Sequence, residues 1–152
     1  MKLAKRLKLL ESMQRIVIDT NVFVSALIQK SYPYLIIHEL FLTDKIMLCI
    51  SDPVFEEYYA VLGRKKFLRF PEFHERAKKI TSDIEIKSTR FIPKKKVTII
   101  TDAGDNKFLE LAWESKAHFL ITDNTSDFKI KKYRRTQIVT PKEYWEVFKT
   151  KL

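Results

Sequence analysis

Residues 15–28, RIVIDTNVFVSALI, constrain the fold of this chain more than any other stretch. The run IVI at positions 16–18 is β-branched and apolar, as is typical of a buried strand. Asp19 follows at once, and the apolar pattern of residues 22–27 is that of a helix. A strand that ends in an aspartate and turns directly into a helix places that carboxylate where open α/β sheets bind ligands. Asp19 could equally serve only as a helix cap, so this motif by itself leaves both roles open.

The remainder of the chain continues this alternation of short apolar runs and helical patterns. Further strands are predicted at residues 46–50, 97–100, 118–121 and 137–139. Helices are predicted at residues 34–42 and 71–86, between Ser51 and Gly63, after Gly104, and from Thr140 onward. The alternation predicts an α/β fold in which helices flank a central parallel sheet of about five strands.

The chain has 152 residues, which predicts one domain, residues 15–152, preceded by an extension of residues 1–14. In the extension, Leu3, Leu7 and Leu10 recur at helical spacing between basic residues, so we expect a short amphipathic helix. We expect this helix to dock against its own domain, although a basic amphipathic helix can also bind a membrane surface or a partner.

The strongly basic character of the chain indicates a polyanionic partner. The net charge is +10 and the isoelectric point is near 9.6. Basic residues concentrate in three stretches, 64–69, 94–96 and 129–135. Lysine-rich surfaces also serve solubility, so we expect at least one of the three to be only a solvated loop. The chain contains two glycines, which excludes a glycine-rich phosphate loop.

Cysteine usage and hydropathy predict a cytoplasmic protein without membrane association. Cys49 is the single cysteine and lies in an apolar run, so we expect a buried structural thiol. The absence of an internal disulfide fits a reducing compartment. No apolar run approaches the ~20 residues that span a membrane, and the N-terminus lacks the apolar core of a signal peptide.

Acidic residues gather where the predicted strands end. They are Asp19 after the first strand, Asp102 and Asp105 after the third, Asp123 and Asp127 after the fourth, and Glu56 and Glu57 one turn into the helix after the second. Because the carboxyl ends of parallel strands share one edge, these carboxylates would repel one another without a cation. Their oxygens suit Mg²⁺ or Mn²⁺. Such an ion can activate water and stabilise a phosphodiester undergoing displacement.

Other chemistries of α/β proteins fit less well. A phosphatase with an aspartyl nucleophile needs a second aspartate where Asn21 stands, and a receiver-type site needs a carboxylate pair that the first strand end lacks. His38, His74 and His118 lie in apolar contexts, so a serine or cysteine nucleophile has no evident histidine partner.

Three segments of the chain resemble the PIN-domain family, and they occur in the family's order: IVIDTNVFVSALI, ISDPVFEEYYAVLGRKKF and TDAGDNKFLELAWESKAHFLITDNTSDF. The similarity covers about residues 15–141 and is greatest to the VapC-like toxins of toxin–antitoxin pairs. It implies a three-layer α/β/α fold and a ribonuclease that depends on Mg²⁺ or Mn²⁺ held by acidic residues.

The resemblance implies that Asp19, Glu57 and Asp105 are the catalytic acids and bind the metal ion. Glu57 is selected by its spacing in the motif, whereas helical phase leaves Glu56 open as the alternative. Asp102 is implied as an accompanying metal ligand.

The fourth acidic position departs from the family pattern, because Asn124 stands where the family often has aspartate. Asp123 and Asp127 flank it, and Asp127 is the better candidate for a metal ligand. Thr122 and Asn21 are implied as supporting neighbours, although Thr122 could simply cap the next helix. The weakened fourth position leaves open whether one or two ions bind.

These features together predict a metal-dependent endoribonuclease that acts on single-stranded or looped RNA. The residues expected to contact RNA phosphates are Arg64, Lys65, Lys66, Lys131, Lys132, Arg134 and Arg135. The aromatic residues expected to stack on bases are Phe67, Phe70 or Tyr133. A non-catalytic module that binds RNA or a partner is the main alternative, and a flap-type deoxyribonuclease ranks last because the chain lacks room for DNA-gripping elements.

The resemblance also implies a small antitoxin partner and a homodimer. Two apolar stripes are candidates for the dimer interface: Leu3, Leu7 and Leu10 on the N-terminal helix, and Tyr34, Ile37 and Phe41 on the helix after the first.

Overall fold

A six-stranded, mainly parallel sheet forms the centre of the computed structural model, which describes residues 2–98, 103–123 and 130–150. The strands are β1 (Arg15–Ile18), β2 (Met47–Ile50), β3 (Thr89–Arg90), β4 (Phe119–Ile121), β5 (Lys132–Tyr133) and β6 (Thr136–Val139). Their order is β3-β2-β1-β4-β6-β5, and β5, at one edge, is antiparallel to β6. The predicted α/β fold is therefore confirmed, with six strands in place of about five.

Helices flank this sheet in the three-layer arrangement. They are α1 (Leu3–Ser12), α2 (Thr20–Ile28), α3 (Tyr32–Leu35, continued as a π-helix over Ile36–Phe41), α4 (Asp52–Leu62), α5 (Phe73–Lys87), α6 (Ala103–Ser115) and α7 (Pro141–Glu143, continued as a π-helix over Tyr144–Phe148). A 3₁₀ turn, Lys65–Arg69, joins α4 to α5. Among the described residues, no helix is long and apolar enough to cross a membrane.

The central position of β1 follows from its sequence. Ile16, Val17 and Ile18 are fully buried, and β1 pairs with β2 on one side and with β4 on the other. A strand covered on both faces and paired at both edges needs an unbroken apolar run, which the IVI sequence supplies. In this register Ile18 lies opposite Ile121, so the residues that follow β1 and β4 emerge side by side.

The helix boundaries predicted from capping residues agree with the structure. Ser51 caps α4 through its hydroxyl, which accepts a hydrogen bond from the Val54 N–H, and Gly63 is the C-cap of this helix. Thr140 begins α7 with a capping box that it shares with Glu143.

The third predicted strand, residues 97–100, falls only half within the described residues. Val97 and Thr98 are described and belong to no strand, while residues 99–100 lie outside the described residues. Thr89 and Arg90 instead form the strand next to β2. This edge strand is two residues long and exposed, so it has no apolar pattern from which it could be predicted.

The π-helical turn after α3 changes which face of that segment is buried. Ile37 and Phe41, predicted to form a dimer stripe with Tyr34, are each 1% exposed and lie in the core of their own domain. A wider turn displaces the following side chains from α-helical positions, which sequence periodicity does not anticipate. The prediction of this stripe is wrong.

The N-terminal helix α1 forms as predicted but does not dock its leucines on the domain. Every residue of α1 is exposed, with Leu3 at 72%, Leu7 at 51% and Leu10 at 41%. The expectation that α1 packs its apolar face on its own domain is therefore wrong, and the leucine stripe faces outward.

Cys49 occupies the buried position expected of a structural thiol. It lies in β2 and is fully buried, and this burial raises the pKa of its thiol to about 11. The thiol therefore stays protonated and unreactive at neutral pH.

Candidate functional site

The candidate site is centred on Asp19, directly after β1. Its backbone N–H donates to the carbonyl oxygen of Ile121 (2.9 Å), which extends the pairing of β1 with β4 by one residue. The Thr122 hydroxyl, directly after β4, donates to Oδ2 of Asp19 at 2.7 Å. Asp19 is 6% exposed and Thr122 is fully buried. The register of the two central strands therefore creates this contact.

Helix capping does not account for Asp19. The residue stands at the N-cap position of α2, where its side chain makes no N-capping hydrogen bond, although it does accept one from the adjacent Thr20 N–H. A capping aspartate accepts a hydrogen bond from the N–H of the second or third residue of its helix. The carboxylate of Asp19 is instead buried against the neighbouring strand end.

Glu57 is the glutamate of α4 that faces this site. It is half-buried, the Thr20 hydroxyl donates to its Oε2, and the ammonium group of Lys107 lies 2.8 Å from its Oε1. Glu56 is exposed. The geometry thus favours Glu57 over Glu56 as the second acid.

Burial and neighbouring charges make ionisation of Asp19 costly. Burial is the main cause that raises the pKa of Asp19, and the negative charges of Glu57 and Asp123 raise it further. Hydrogen bonds from the Thr122 hydroxyl and the Thr20 backbone oppose this rise. Partial burial also raises the pKa of Asp123, against a hydrogen bond from Ser25. A cation at this edge would lower the electrostatic cost of ionising these carboxylates.

Tyr58 supports the site by contacting the last residue of β1. Its hydroxyl donates to the carbonyl oxygen of Ile18, the last residue of β1, and its ring meets Phe23 edge to face at 4.9 Å. Complete burial, together with the charges of Asp19 and Glu57, raises the pKa of Tyr58 well above its ordinary value. Tyr58 is therefore a neutral donor that holds the end of β1 in place.

Lys107 and Thr20 are the site residues that were missed in the sequence. Thr20 lies inside the DTN motif, and Lys107 comes two residues after Asp105 in α6. A lysine close to an acidic motif is a weak signal, because lysine is abundant in this chain. The contact between Lys107 and Glu57 depends on the packing of α4 against α6, which no local pattern specifies.

Of the other predicted site residues, some lie in the described part of the chain and some lie outside it. Asp105 is half-buried in the first turn of α6, and Asn21 is exposed in the first turn of α2. Asp102, Asn124 and Asp127 lie outside the described residues.

The donors that meet at this edge fit a hard divalent cation in chemistry, because they are carboxylate and hydroxyl oxygens. Among the described residues, however, no group of three or more acidic, histidine or cysteine side chains lies close enough to hold a metal ion. The described part of the site thus places Asp19 and Glu57 near each other, and the roles of all five predicted metal ligands stay predictions.

The predicted RNA-binding residues are all exposed, in two separate regions. Arg64, Lys65 and Lys66 lie at the 3₁₀ turn after α4, and Lys131, Lys132, Arg134 and Arg135 lie at the hairpin of β5 and β6.

The aromatic residues predicted to stack on bases are placed differently. Phe67 and Tyr133 are buried, at 7% and 8% exposure. Phe67 stacks on Phe73, and Phe70 is half-buried with the guanidinium of Arg69 over its ring. The prediction that Phe67 or Tyr133 stacks on bases is therefore wrong, because both rings belong to the core.

Comparisons with known proteins identify the family and the fold of the chain. A family profile described as PIN domain matches residues 15–126. The chain is 30% identical, over 142 residues, to Uncharacterized protein MJ1680 of Methanocaldococcus jannaschii, covering 88% of this chain and 91% of that protein. It is similar in fold to a chain in the crystal structure of VapBC2 from Rickettsia felis bound to a DNA fragment from their promoter. The TM-score is 0.54 and the identity 16%, with 84% of this chain and 98% of that chain covered.

The raised pKa of Asp19 predicts a pH-dependent stability difference between wild type and Asp19→Asn. Between the ordinary value of 3.8 and the higher pKa of the folded state, the folded chain binds more protons than the unfolded chain. Stability therefore falls as pH rises through this interval and then levels off. The amide does not titrate, and its oxygen can still accept from Thr122. Asp19→Asn should become progressively more stable than wild type over this interval, in urea unfolding with EDTA.

Glu56→Gln is the matched control, because it removes one carboxylate at an exposed position of α4. Its stability difference from wild type should stay nearly constant with pH. A difference for Asp19→Asn that stays equally flat would contradict the assignment of Asp19 as a buried, strained acid.

Proposed function

Because the chain belongs to the PIN domain family, we propose that it is a divalent-metal-dependent endoribonuclease that cleaves single-stranded or looped RNA. The observation that carries this proposal is the buried carboxylate of Asp19 beside Glu57 at the carboxyl edge of a parallel sheet. A carboxyl that is buried at this cost to its ionisation, beside a second acid, fits a site that a cation would complete.

We assign Asp19, Glu57 and Asp105 as the ligands of a Mg²⁺ or Mn²⁺ ion, with Asp102 and Asp127 as supporting ligands. Asn21, Thr122, Asp123 and Asn124 are assigned as neighbours of the site. When bound, the ion would lower the pKa of a water molecule and stabilise the negative charge of the phosphodiester during displacement.

The surrounding side chains would orient these acids. The Thr122 hydroxyl and the Thr20 N–H orient the carboxylate of Asp19. The Thr20 hydroxyl and the Lys107 ammonium group fix the two oxygens of Glu57, so this side chain is held before substrate arrives. Since Asp19 must be ionised to bind a cation, its raised pKa would weaken loading of the site in acid.

The proposed biological role is that of a toxin in a toxin–antitoxin pair, acting in the cytoplasm and held inactive by a small antitoxin protein. The fold similarity to a chain of VapBC2 supports looking for such a partner. The single cysteine, which is buried, is compatible with a reducing compartment.

A non-catalytic module that binds RNA or a partner is the second candidate. It is favoured by the lack of a group of three metal-binding side chains among the described residues. It is also favoured by Asn124 at the position where the family often has aspartate. Metal binding separates the two functions.

Catalysis should depend on Glu57 and not on Glu56. Glu57→Gln should lower the rate of Mn²⁺-dependent RNA cleavage by about 100-fold or more, because it removes a ligand charge from an oriented carboxylate. Glu56→Gln removes the same charge one residue away, on the exposed side of α4, and should cleave as wild type does. Cleavage of a labelled single-stranded RNA measures both rates, with Asp19→Asn as the inactive reference. The reverse ranking would assign the site to Glu56.

Binding of metal should stabilise the folded protein. A ligand that binds the folded state alone raises the unfolding free energy, by about 2.7 kcal/mol when its concentration is 100 times its dissociation constant. Titration with Mn²⁺ should therefore raise the melting temperature of wild type and have little effect on Asp19→Asn. A wild-type melting temperature that does not respond to Mn²⁺ would favour the non-catalytic module.

The proposed homodimer should depend on α1, because the leucine stripe of this helix is exposed whereas the second predicted stripe lies partly in the core. A chain that begins at Met13 removes no buried residue and should fold and cleave normally. Analytical ultracentrifugation should show a dimer for the full chain and a monomer for the shortened one. An unchanged mass would exclude α1 from the dimer interface.

A further inference from the structure

We propose that a basic groove at the amino edge of the sheet, formed by two of the three basic stretches, binds a single-stranded segment of nucleic acid through its phosphates and one stacked base. The groove has a volume of about 570 Å³, within the range of sites for small molecules. Its main lining residues are Lys94, Lys95, Trp113, Lys116, Arg134 and Arg135. The identity of the strand as RNA rests on the proposed function, whereas binding in the groove does not.

The groove lies away from the acidic site. Arg134 and Arg135 directly precede β6, and Lys116 precedes β4 by a few residues. Both strands run parallel to β1, so these cations lie at the edge where the strands begin, whereas Asp19 lies where β1 ends. The four residue steps along β1 from Arg15 to Asp19 correspond to about 13 Å at ~3.3 Å per residue. The groove would therefore hold a part of the strand distant from the cleaved bond.

The groove keeps a net positive charge in spite of its own carboxylates, because five cations and two glutamates line it, which leaves a net charge of +3. Glu110 accepts a hydrogen bond from the Val97 N–H (3.0 Å), and Glu114 accepts one from the Lys94 N–H (3.1 Å). These two glutamates thus hold the backbone of the connector in place. The ion pairs found in the described part of the chain involve none of the five groove cations. The groove therefore concentrates positive charge, as phosphate binding requires.

Arg134 presents a flat surface for a base. The residue has a positive φ of 53° in the turn between β5 and β6, and its guanidinium lies 3.6 Å from the centroid of the Trp113 ring. Trp113 in turn contacts the buried Tyr133 ring edge to face at 6.2 Å. The tryptophan ring thus holds the guanidinium by a cation–π contact while the arginine itself is exposed.

A supported guanidinium plane selects among polyanions. Bases of single strands stack on arginine planes as well as on aromatic rings. An acidic protein segment needs the charge of Arg134 but not its plane, and an anionic membrane surface needs apolar side chains that insert into lipid. The combination of phosphate-binding cations and a stacking plane therefore favours single-stranded nucleic acid.

The charge contribution is tested by the double variant Arg134→Gln/Arg135→Gln. Its matched control is Lys78→Gln/Lys142→Gln, which removes the same charge from exposed helix positions outside the groove. Fluorescence anisotropy of labelled oligouridine, with EDTA to prevent cleavage, measures affinity over a range of KCl concentrations. Two lost phosphate contacts should reduce the slope of log K against log salt by about 1.4 in the groove variant. Equal losses in both double variants would overturn the proposal, since they would indicate diffuse attraction.

The stacking contribution is tested by Arg134→Lys, which keeps the charge and removes the plane. This variant should bind oligouridine about fivefold or more weakly with an unchanged salt slope. Wild-type affinity for Arg134→Lys would overturn stacking on Arg134. Polyglutamate should compete poorly for the groove, and competition equal to that of oligouridine at the same charge would overturn selectivity for nucleic acid. Circular dichroism of each variant establishes that its fold is retained.

The groove and the nuclease can fail separately. Loss of binding in the groove variant without metal-dependent cleavage in wild type would retain the groove and overturn the nuclease. Metal-dependent cleavage in wild type, together with unaltered binding in the groove variant, would retain the nuclease and overturn the groove.

Discussion

The hydrogen bond from Thr122 to Asp19 is the interaction on which the organisation of the site depends. It joins the residues that directly follow the two central strands, and it forms because Ile18 and Ile121 are paired in register. A shift of one residue in that register would turn the strand side chains to opposite faces and separate the two residues. The apolar core that fixes the register of β1 thus also fixes the position of its carboxylate.

Polar partners offset part, but not all, of the free-energy cost of burying the acids of the site. Thr122 and the Thr20 backbone stabilise ionised Asp19, Thr20 and Lys107 hold Glu57, and Tyr58 anchors the end of β1. Burial, with a smaller contribution from the charges of Glu57 and Asp123, keeps the pKa of Asp19 raised. A buried carboxyl whose pKa is raised in this way marks a candidate functional site.

The two edges of the sheet have opposite electrostatic character. Acidic side chains meet where the strands end, and the cations around Trp113 meet where β4 and β6 begin. Separation along the strands keeps the lysines and arginines of the groove from neutralising Asp19 and Glu57. Lys107 is not part of the groove: it contacts Glu57 from α6 and supplies positive charge inside the acidic site.

Local sequence determined the strand of residues 16–18, the aspartate after it, the capped helix at Ser51, the basic stretches and the resemblance to the PIN-domain family, because each depends on neighbouring residues. Local sequence could not determine the short edge strand β3, the π-helical turn that buries Ile37, the core positions of Phe67 and Tyr133, or the outward face of α1. It left Glu56 and Glu57 equivalent by helical phase, and only the packing of α4 against α2 and α6 turned Glu57 toward Thr20 and Lys107. The reason is physical: hydrophobic periodicity records which residues leave water, whereas the partner of each side chain is decided by contacts between distant segments.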